Sequence, residues 1–350
     1  MAEPRRGGGP LLRVEDLSVS FATESGPLPA AAEVSFELNP GEVLAIVGES
    51  GSGKSVTAQT LIGLTRSPNA TIAGSVRLGG EELIDADEAA LRRVRGNRIA
   101  MVFQDPMTSF NPVYRIGAQI VEAIRAHRPS IGDGEAREIA VAMLDSVGIA
   151  DAERRVDAYP HEFSGGMRQR AMIAMALALE PEILIADEPT TALDVTIQAQ
   201  ILALLGRLNR ERNLATVLIT HDLGVVAEVA DRVLVMYAGR VVEQGTLDEI
   251  FYDPQHPYTW GLLGSLTRID RPLRGRMPQI PGTPPSLTDL DQGCAFRDRC
   301  PHAFDRCPVL PGLESRVEAA PGHRDRCWLD PDQKREKRQV EGRIGLELPA

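Results

Sequence analysis

A glycine-rich segment in the first sixth of the chain has the residue types and spacing of a phosphate-binding loop. It reads Gly48-Glu49-Ser50-Gly51-Ser52-Gly53-Lys54-Ser55 and fits the pattern G-x-x-x-x-G-K-[ST]. The glycines let backbone N–H groups surround phosphate oxygens, Lys54 neutralises the β and γ phosphates, and the Ser55 hydroxyl ligates Mg²⁺. The segment therefore predicts that the chain binds a nucleoside triphosphate together with Mg²⁺.

Two adjacent carboxylates follow a short apolar run later in the chain. Ile183 to Ala186 has the pattern of a buried strand, and Asp187 and Glu188 come directly after it. At the carboxyl edge of an α/β sheet, Asp187 would hold Mg²⁺ through water and Glu188 would polarise the attacking water. Such a pair in isolation is more often a loop start or a helix cap. The phosphate loop upstream favours the catalytic interpretation.

The apolar patterning indicates which elements position these groups. Leu11 to Phe21 and Val34 to Leu38 alternate apolar and polar residues, which is typical of an antiparallel hairpin region. Glu42 to Val47 predicts a strand before the phosphate loop, and a helix begins at Lys54. Helical spacing continues from Pro106 to His161. Strands at 183–186 and 215–220, with a helix between them, predict a parallel sheet.

Composition narrows the class of protein. The chain has 350 residues and a formal charge of -11, which argues against nucleic acid as the main partner. No window offers the roughly 18 apolar residues of a membrane helix. The first ten residues contain no apolar stretch typical of a secretory signal. These features predict a cytoplasmic protein.

The segment Phe163-Ser164-Gly165-Gly166-Met167 decides the family. Two glycines at the start of a helix let backbone amides and the Ser164 hydroxyl approach an anion, although a glycine turn before a helix is commonplace. With the two motifs above, the chain resembles the ATP-binding cassette (ABC) family, whose signature LSGGQ appears here as FSGGM. The resemblance implies that Ser164, Gly165 and Gly166 bind the γ-phosphate of ATP held by a second ATPase subunit.

Four further positions match the family over residues 11 to 265. Gln104 resembles the glutamine that reaches the metal and the attacking water, and Asp194 lies in a segment similar to the loop that crosses the dimer interface. His221 resembles the histidine that contacts the γ-phosphate, and Phe21 the aromatic residue that stacks on adenine. A histidine at a strand end is usually structural, and a strand phenylalanine usually belongs to the core. The resemblance implies an ATPase with Glu188, His221 and Gln104 as catalytic residues.

Several segments resemble one branch of the family, the dipeptide and oligopeptide importer ATPases. They are Gln104 to Pro112, Tyr159 to Phe163, His256 to Thr259 and Gly282 to Pro285. That branch implies two transmembrane permease subunits, an extracytoplasmic solute-binding protein, and a dimer partner that is a homologous ATPase or a second copy. It implies a peripheral position on the cytoplasmic face of the inner membrane.

Other functions remain open at this point. The same branch contains importers of nickel and other small solutes. A soluble ABC ATPase acting on DNA or ribosomes, or an exporter ATPase, is disfavoured by the C-terminal segment and the acidic charge. Soluble ABC ATPases of this kind typically carry a coiled-coil insertion or two cassettes in one chain. This sequence has no long heptad run and only one phosphate loop, which disfavours that class.

All four cysteines of the chain, Cys294, Cys300, Cys307 and Cys327, lie within 34 residues. Disulfides are not expected in a reducing cytoplasm, and four unligated thiols are the simplest alternative to a metal site. Four thiolates suit a [4Fe–4S] cluster or a tetrahedral zinc ion, and the lack of a close C-x₂-C pair disfavours a zinc ribbon. Resemblance to peptide-importer ATPases favours the iron–sulfur cluster.

These observations predict an α/β fold: an ABC-type core with an antiparallel β subdomain, a helical subdomain and a small cysteine-rich C-terminal appendix. The predicted divisions are a flexible N-terminus at 1–10 and a nucleotide-binding domain at 11–265, with its helical subdomain at about 106–165. A cysteine-cluster region at 266–330 and a mobile tail at 331–350 follow.

Overall fold

The computed structural model describes residues 9–24, 26–191, 193–265, 280–288, 290, 292–315 and 320–341. Most of the predicted flexible N-terminus (1–8), the first fourteen residues of the predicted cysteine-cluster region (266–279), and the last nine residues of the predicted tail lie outside the described residues.

Strands and helices alternate along most of the chain. The strands are β1 (Leu12–Thr23), β2 (Gly26–Leu38), β3 (Val43–Val47), β4 (Ala70–Leu78), β5 (Glu81–Glu82), β6 (Ile99–Val102), β7 (Ile183–Asp187), β8 (Ala215–Thr220), β9 (Arg232–Tyr237), β10 (Arg240–Thr246) and β11 (Arg324–Asp325). The helices are α1 (Lys54–Leu61), α2 (Glu88–Val94), α3 (Pro106–Ser109), α4 (Ile116–His127), α5 (Asp133–Ser146), α6 (Ala152–Arg155), α7 (Gly165–Leu177), α8 (Val195–Arg212), α9 (Leu223–Val229), α10 (Leu247–Tyr252), α11 (Pro257–Gly264) and α12 (Pro331–Glu341). Two 3₁₀ turns cover Pro160–Glu162 and Arg297–Arg299.

The chain divides into two compact units. The first contains Met1–Leu11, Leu38–Val43 and Asp85–Ile219, and the second contains the remaining segments, Leu12–Glu37, Leu44–Ile84 and Thr220–Ala350.

In the first unit, β6, β7 and β8 run parallel to one another. Every residue of β7 is buried, and so is every residue of β8. Continuous burial of this kind is typical of parallel strands covered on both faces. It explains why the sequence of β7, ILIAD, is almost wholly apolar until its last residue.

The helical region of the first unit is built by apolar residues at helical spacing. α4 buries Ile116, Ile120 and Ile124 along one face, and α5 buries Ala136, Ala140 and Leu144. α5 packs against α4 and α7. Helices therefore fill the region that the sequence predicted to be helical.

The second unit contains an antiparallel sheet with strand order β2-β1-β4-β5. β1 and β4 pair in a long register that runs from Leu12 opposite Leu78 to Phe21 opposite Ala70, with an irregularity between Glu15 and Ser18. Leu12, Val14 and Val76 are buried. This sheet is the predicted antiparallel subdomain.

The second unit also contains the strand that leads into the phosphate loop. β3 runs parallel to β9, which pairs antiparallel with β10, and β10 pairs antiparallel with the short β11. β11 brings the cysteine-bearing region beside β10. Trp260, Cys327 and Leu329 form a small buried apolar cluster there.

Residues 331–341 differ from the predicted mobile tail because they form helix α12. The ammonium group of Lys334 is fully buried and lies 2.8 Å from both carboxylate oxygens of Asp325 in β11. A charged group out of contact with water requires such a partner. The segment is mainly polar, so its pattern does not predict that one of its lysines is buried in the core.

Among the residues that the structure describes, none of the helices has the length and apolar content needed to span a bilayer.

Candidate nucleotide-binding and catalytic site

The phosphate loop connects β3 to α1 in the second unit. Lys54 begins α1 and is only 4% exposed. Its ammonium nitrogen donates to the carbonyl oxygens of Gly48 at 2.8 Å and Glu49 at 2.9 Å. The loop therefore curls around the lysine.

Two of its glycines are required by backbone conformation and by space. Gly48 has φ 153° and Gly53 has φ 96°. A Cβ at Gly48 would lie 2.2 Å from the carbonyl oxygen of Met236, and one at Gly53 would lie 2.3 Å from that of Ala30. Neither position accepts a side chain. Gly53 directly precedes α1, so the loop leads into a helix N-terminus, where backbone N–H groups favour an anion.

The remaining predicted ATP-binding residues of the second unit differ in exposure. Ser50 and Gly51 are exposed, Ser52 is buried, and Ser55 is half-buried in the first turn of α1. Phe21 is half-buried near the end of β1.

His221 is exposed just after β8. The next residue, Asp222, caps α9 by accepting a 2.8 Å hydrogen bond from the N–H of Gly224.

In the first unit, the predicted catalytic carboxylate is hydrogen-bonded to the predicted glutamine. Nε2 of Gln104 donates to Oε2 of Glu188 at 2.8 Å, and the Thr191 hydroxyl donates to the same oxygen at 2.9 Å. Glu188 has φ 45°, a left-handed conformation that is uncommon for a residue with a side chain. Asp187, the last residue of β7, is 3% exposed.

The signature segment forms the N-terminus of α7. Ser164 is exposed and caps the helix by accepting a hydrogen bond from the N–H of Met167 at 3.3 Å. Gly165 is exposed. A Cβ at Gly166 would lie 2.8 Å from Cγ2 of Ile197 in α8, so this glycine permits close helix packing. Asp194 is exposed and caps α8 by accepting from the N–H of Ile197.

The structure thus places the predicted residues in two groups. Gln104, the signature residues, Asp187, Glu188 and Asp194 belong to the first unit. The phosphate loop, Phe21 and His221 belong to the second. The role of each residue stays a prediction.

The four cysteines line one cavity in the second unit, together with His302 and Phe296. None of the four is in a disulfide. Burial raises the pKa of the Cys327 thiol to about 12 and also raises the pKa of Cys294. Within the described part of the chain, no group of three or more His, Cys, Asp or Glu side chains is arranged closely enough to hold a metal ion.

Sequence reasoning missed a second set of contacts to the phosphate loop. The carboxylate of Glu49 pairs with Arg299. The backbone N–H of Glu49 donates to the hydroxyl of Tyr258 at 2.8 Å. Tyr258 lies in a segment that the family resemblance singled out, but Arg299 carries no local signal. The pairing spans 250 positions. Thr191 was likewise not predicted as a partner of Glu188.

Two family models match parts of the chain. The sequence model described as "ABC transporter" matches residues 31–191. The one described as "Oligopeptide/dipeptide transporter, C-terminal region" matches residues 242–307.

Curated relatives match nearly the whole chain. The oligopeptide transport ATP-binding protein OppD of Salmonella typhimurium is 51% identical over 91% of this chain and 93% of its own length. OppD of Bacillus subtilis is 53% identical over 84% and 82% of the two chains. The dipeptide transport ATP-binding protein DppD of Lactococcus lactis is 50% identical over 91% and 90%.

Solved structures share the fold. The ATP-binding cassette MJ0796, determined as a dimer in a post-hydrolysis state bound to ADP and Pi, has a TM-score of 0.61 at 28% identity. The match covers 67% of this chain and 98% of MJ0796. The predicted α/β fold with an ABC core is therefore confirmed. The chain belongs to the ABC transporter ATPases of the dipeptide and oligopeptide importer branch.

Proposed function

We propose that this chain binds and hydrolyses MgATP and powers an importer of dipeptides or oligopeptides. The observation that carries the proposal is the order of its two matched regions. An ABC region at 31–191 is followed in the same chain by the C-terminal region of oligopeptide and dipeptide transporters at 242–307. The curled phosphate loop around Lys54 supports nucleotide binding by the first region.

The proposed chemistry assigns a role to each half of the site. In the second unit, Lys54 and the loop N–H groups have the proposed role of binding phosphates, and Ser55 that of a Mg²⁺ ligand. In the first unit, Asp187 and Gln104 are the proposed Mg²⁺-binding residues, acting directly or through water. Glu188 polarises the attacking water, and His221 contacts the γ-phosphate. The hydrogen bond from Gln104 to Glu188 supports a shared place for metal and water.

The signature residues complete the site of a second subunit. Ser164, Gly165 and Gly166 lie at the exposed N-terminus of a 13-residue helix, where backbone N–H groups and the helix dipole favour an anion. In the proposed dimer they bind the γ-phosphate held by the partner's phosphate loop, with Asp194 at the interface. The partner is a homologous ATPase or a second copy of this chain.

The proposed assembly contains two transmembrane permeases and an extracytoplasmic solute-binding protein. The chain sits peripherally on the cytoplasmic face of the inner membrane. Phe103, next to Gln104, and Tyr114 are large, exposed residues of the first unit, which supports a protein contact there. ATP-driven closure would reach the permeases through that helical region.

We further propose that the four cysteines hold a [4Fe–4S] cluster. They line one cavity, and thiolates are the ligands that such clusters use. A single tetrahedral zinc ion, with Zn–S bonds of about 2.3 Å, needs sulfurs in mutual contact. When bound, the cluster would cross-link a segment too small to have a large core of its own.

Uptake by cells tests the transport proposal. A strain lacking this gene is complemented with the wild-type chain, with Lys54→Ala, or with Arg335→Gln as a control. Arg335 is exposed on α12 and pairs with Asp332 three residues before it. We expect uptake of a labelled tripeptide with wild type and control but not with Lys54→Ala. Unchanged peptide uptake in the strain lacking the gene, with loss of nickel uptake, would replace peptide by nickel as the solute.

A further inference from the structure

The second residue of the phosphate loop is held by residues from the C-terminal part of the chain. Nη1 of Arg299 lies 2.6 Å from one carboxylate oxygen of Glu49, and Nη2 lies 3.0 Å from the other. This is a bidentate charged pair, the strongest geometry available to these side chains. Tyr258 in α11 accepts the N–H of Glu49 at 2.8 Å.

Glu49 is also connected to the phosphate-binding lysine. Its carbonyl oxygen accepts a hydrogen bond from Nζ of Lys54 at 2.9 Å. The side chain, the N–H and the carbonyl of Glu49 are therefore all engaged. Because the preceding Gly48 is crowded against Met236, the start of the loop has little room to rearrange. A displacement of Glu49 would move the anchor of Lys54.

Arg299 is prepared for this contact by its own surroundings. Its guanidinium is buried and donates from Nε to the carbonyl oxygen of Pro281 at 2.9 Å and from Nη1 to the Tyr237 hydroxyl at 3.3 Å. The rings of Tyr237 and Phe296 lie within about 6 Å of the guanidinium carbon. Since neighbouring groups already fix the guanidinium of Arg299, this side chain loses little entropy on binding Glu49.

A cluster of aromatic rings joins these elements. The ring centroids of Tyr237 and Tyr258 are 4.6 Å apart, and Phe296 lies 5.3 Å from the first and 5.4 Å from the second. Phe296 and Arg299 both come from the turn between Cys294 and Cys300. The cysteine-bearing segment is thus packed directly behind the phosphate loop.

From these contacts we infer that Arg299 and Tyr258 are positioning residues of the ATP site, so that the cysteine-bearing segment sets the affinity of the phosphate loop for nucleotide. Neither residue touches the reacting atoms. They act through Glu49, which fixes the loop backbone and the ammonium of Lys54. This role goes beyond ATP-driven transport, because it makes the nucleotide affinity of one region depend on the docking of another.

The test uses the full chain and measures binding of MgADP by calorimetry together with KM and kcat for ATP in the assembled transporter. The variants are Arg299→Gln, Arg299→Lys, Glu49→Gln and Tyr258→Phe, with Arg335→Gln as the control. We expect Arg299→Gln to raise the Kd and KM about tenfold or more, with a much smaller change in kcat. Arg299→Lys should recover part of the affinity, since it retains the charge but not the fork.

A double variant separates positioning from general destabilisation. If the pair acts as one unit, Glu49→Gln with Arg299→Gln binds MgADP no more weakly than Arg299→Gln alone. A purely structural role would lower the melting temperature and leave the Kd of the folded fraction unchanged. That outcome, or a KM within about twofold of wild type, overturns the proposal. If Arg299→Gln does not fold, Tyr258→Phe and Glu49→Gln decide alone, and wild-type Kd in both overturns it.

Discussion

The side-chain amide of Gln104 donates a 2.8 Å hydrogen bond to the carboxylate of Glu188. Thr191 donates to the same carboxylate oxygen at 2.9 Å. Two donors from different segments therefore fix the orientation of one carboxylate. Its left-handed backbone costs about 1–3 kcal/mol for a residue with a side chain, so the surrounding structure must hold it in place. This arrangement is what a residue that orients one water molecule needs.

Replacing Glu188 by glutamine should abolish most ATP turnover while ATP still binds. The change removes the proposed general base but keeps the size of the side chain, and such a base contributes about 10²- to 10⁴-fold to rate. Steady-state phosphate release and the Kd for ATP measure the two effects separately. Glu211→Gln, in an exposed i,i+4 pair on α8, is the matched control. Wild-type turnover in Glu188→Gln would show that another residue activates the water.

Loss of the buried ammonium of Lys334 should loosen the C-terminal region. Lys334→Met removes the ammonium that pairs with the buried carboxylate of Asp325, and breaking such a pair costs about 3–5 kcal/mol. Hydrogen exchange of the backbone around β11 and denaturant unfolding measure the loss. Lys337→Met, one turn later in α12, is the matched control. Adding Asp325→Leu should restore part of the stability; equal effects of Lys334→Met and Lys337→Met would contradict the buried role.

The pair of His323 and Glu243 should make stability depend on pH. Both side chains are buried, and Nε2 of His323 lies 2.8 Å from Oε1 of Glu243. Burial alone lowers the pKa of His323, but the hydrogen bond and charge of Glu243 outweigh it, so the pKa is raised. Burial alone raises the pKa of Glu243, but the hydrogen bond and the charge of His323 outweigh burial. The pKa of Glu243 is therefore lowered.

The signs of these shifts define a pH window. The contribution of His323 is fully present below its unfolded pKa of about 6.5 and is lost as pH rises through the raised folded value. The contribution of Glu243 is present above about pH 4.3 and is lost as pH falls through the lowered folded value. We therefore expect His323→Asn to lower the melting temperature more at about pH 6 than at about pH 8.5. If His323→Asn lowered the melting temperature equally at the two pH values, the charged pair would be refuted.

Substitution of Cys300 by serine should abolish binding of the proposed cluster and weaken nucleotide binding together. Cys300 follows Arg299 directly, so a cluster lost from the cysteine cavity releases the turn that holds Glu49. Iron content and visible absorbance after anaerobic purification report the first effect, and the Kd for MgADP reports the second. Ser286→Ala, an exposed change in the same region, is the control. Colourless protein with stoichiometric zinc would overturn the iron assignment.

The sequence predicted those parts of the fold that depend on local pattern. β7 is a short apolar run that is buried at every position, and α4 carries isoleucines at a spacing of four. Gly48 and Gly53 were expected from the phosphate-loop pattern, and both have positive φ values in the structure. In each case the residue type follows from a local feature, which is either the periodicity of apolar residues or the backbone conformation of a short segment.

The contacts that the sequence did not reveal join residues far apart in the chain. Nothing near Arg299 in the sequence distinguishes it from Arg297 in the same turn, yet Arg299 pairs with the distant Glu49 and Arg297 pairs with the neighbouring Asp298. Lys334 lies in a run of charged residues that would normally be solvated. Tertiary packing decides which of several similar side chains is buried, and a single sequence carries no record of that choice.

The pairing of Glu49 with Arg299 also bears on how the protein is made. A ribosome produces the phosphate loop 250 residues before the arginine that holds it. A chain interrupted anywhere in that interval carries the nucleotide motif without its support, and contacts so distant in sequence form late because closing the loop costs entropy. We therefore expect nascent and truncated chains to bind ATP poorly, so that an unfinished subunit does not consume nucleotide before its last segment is in place.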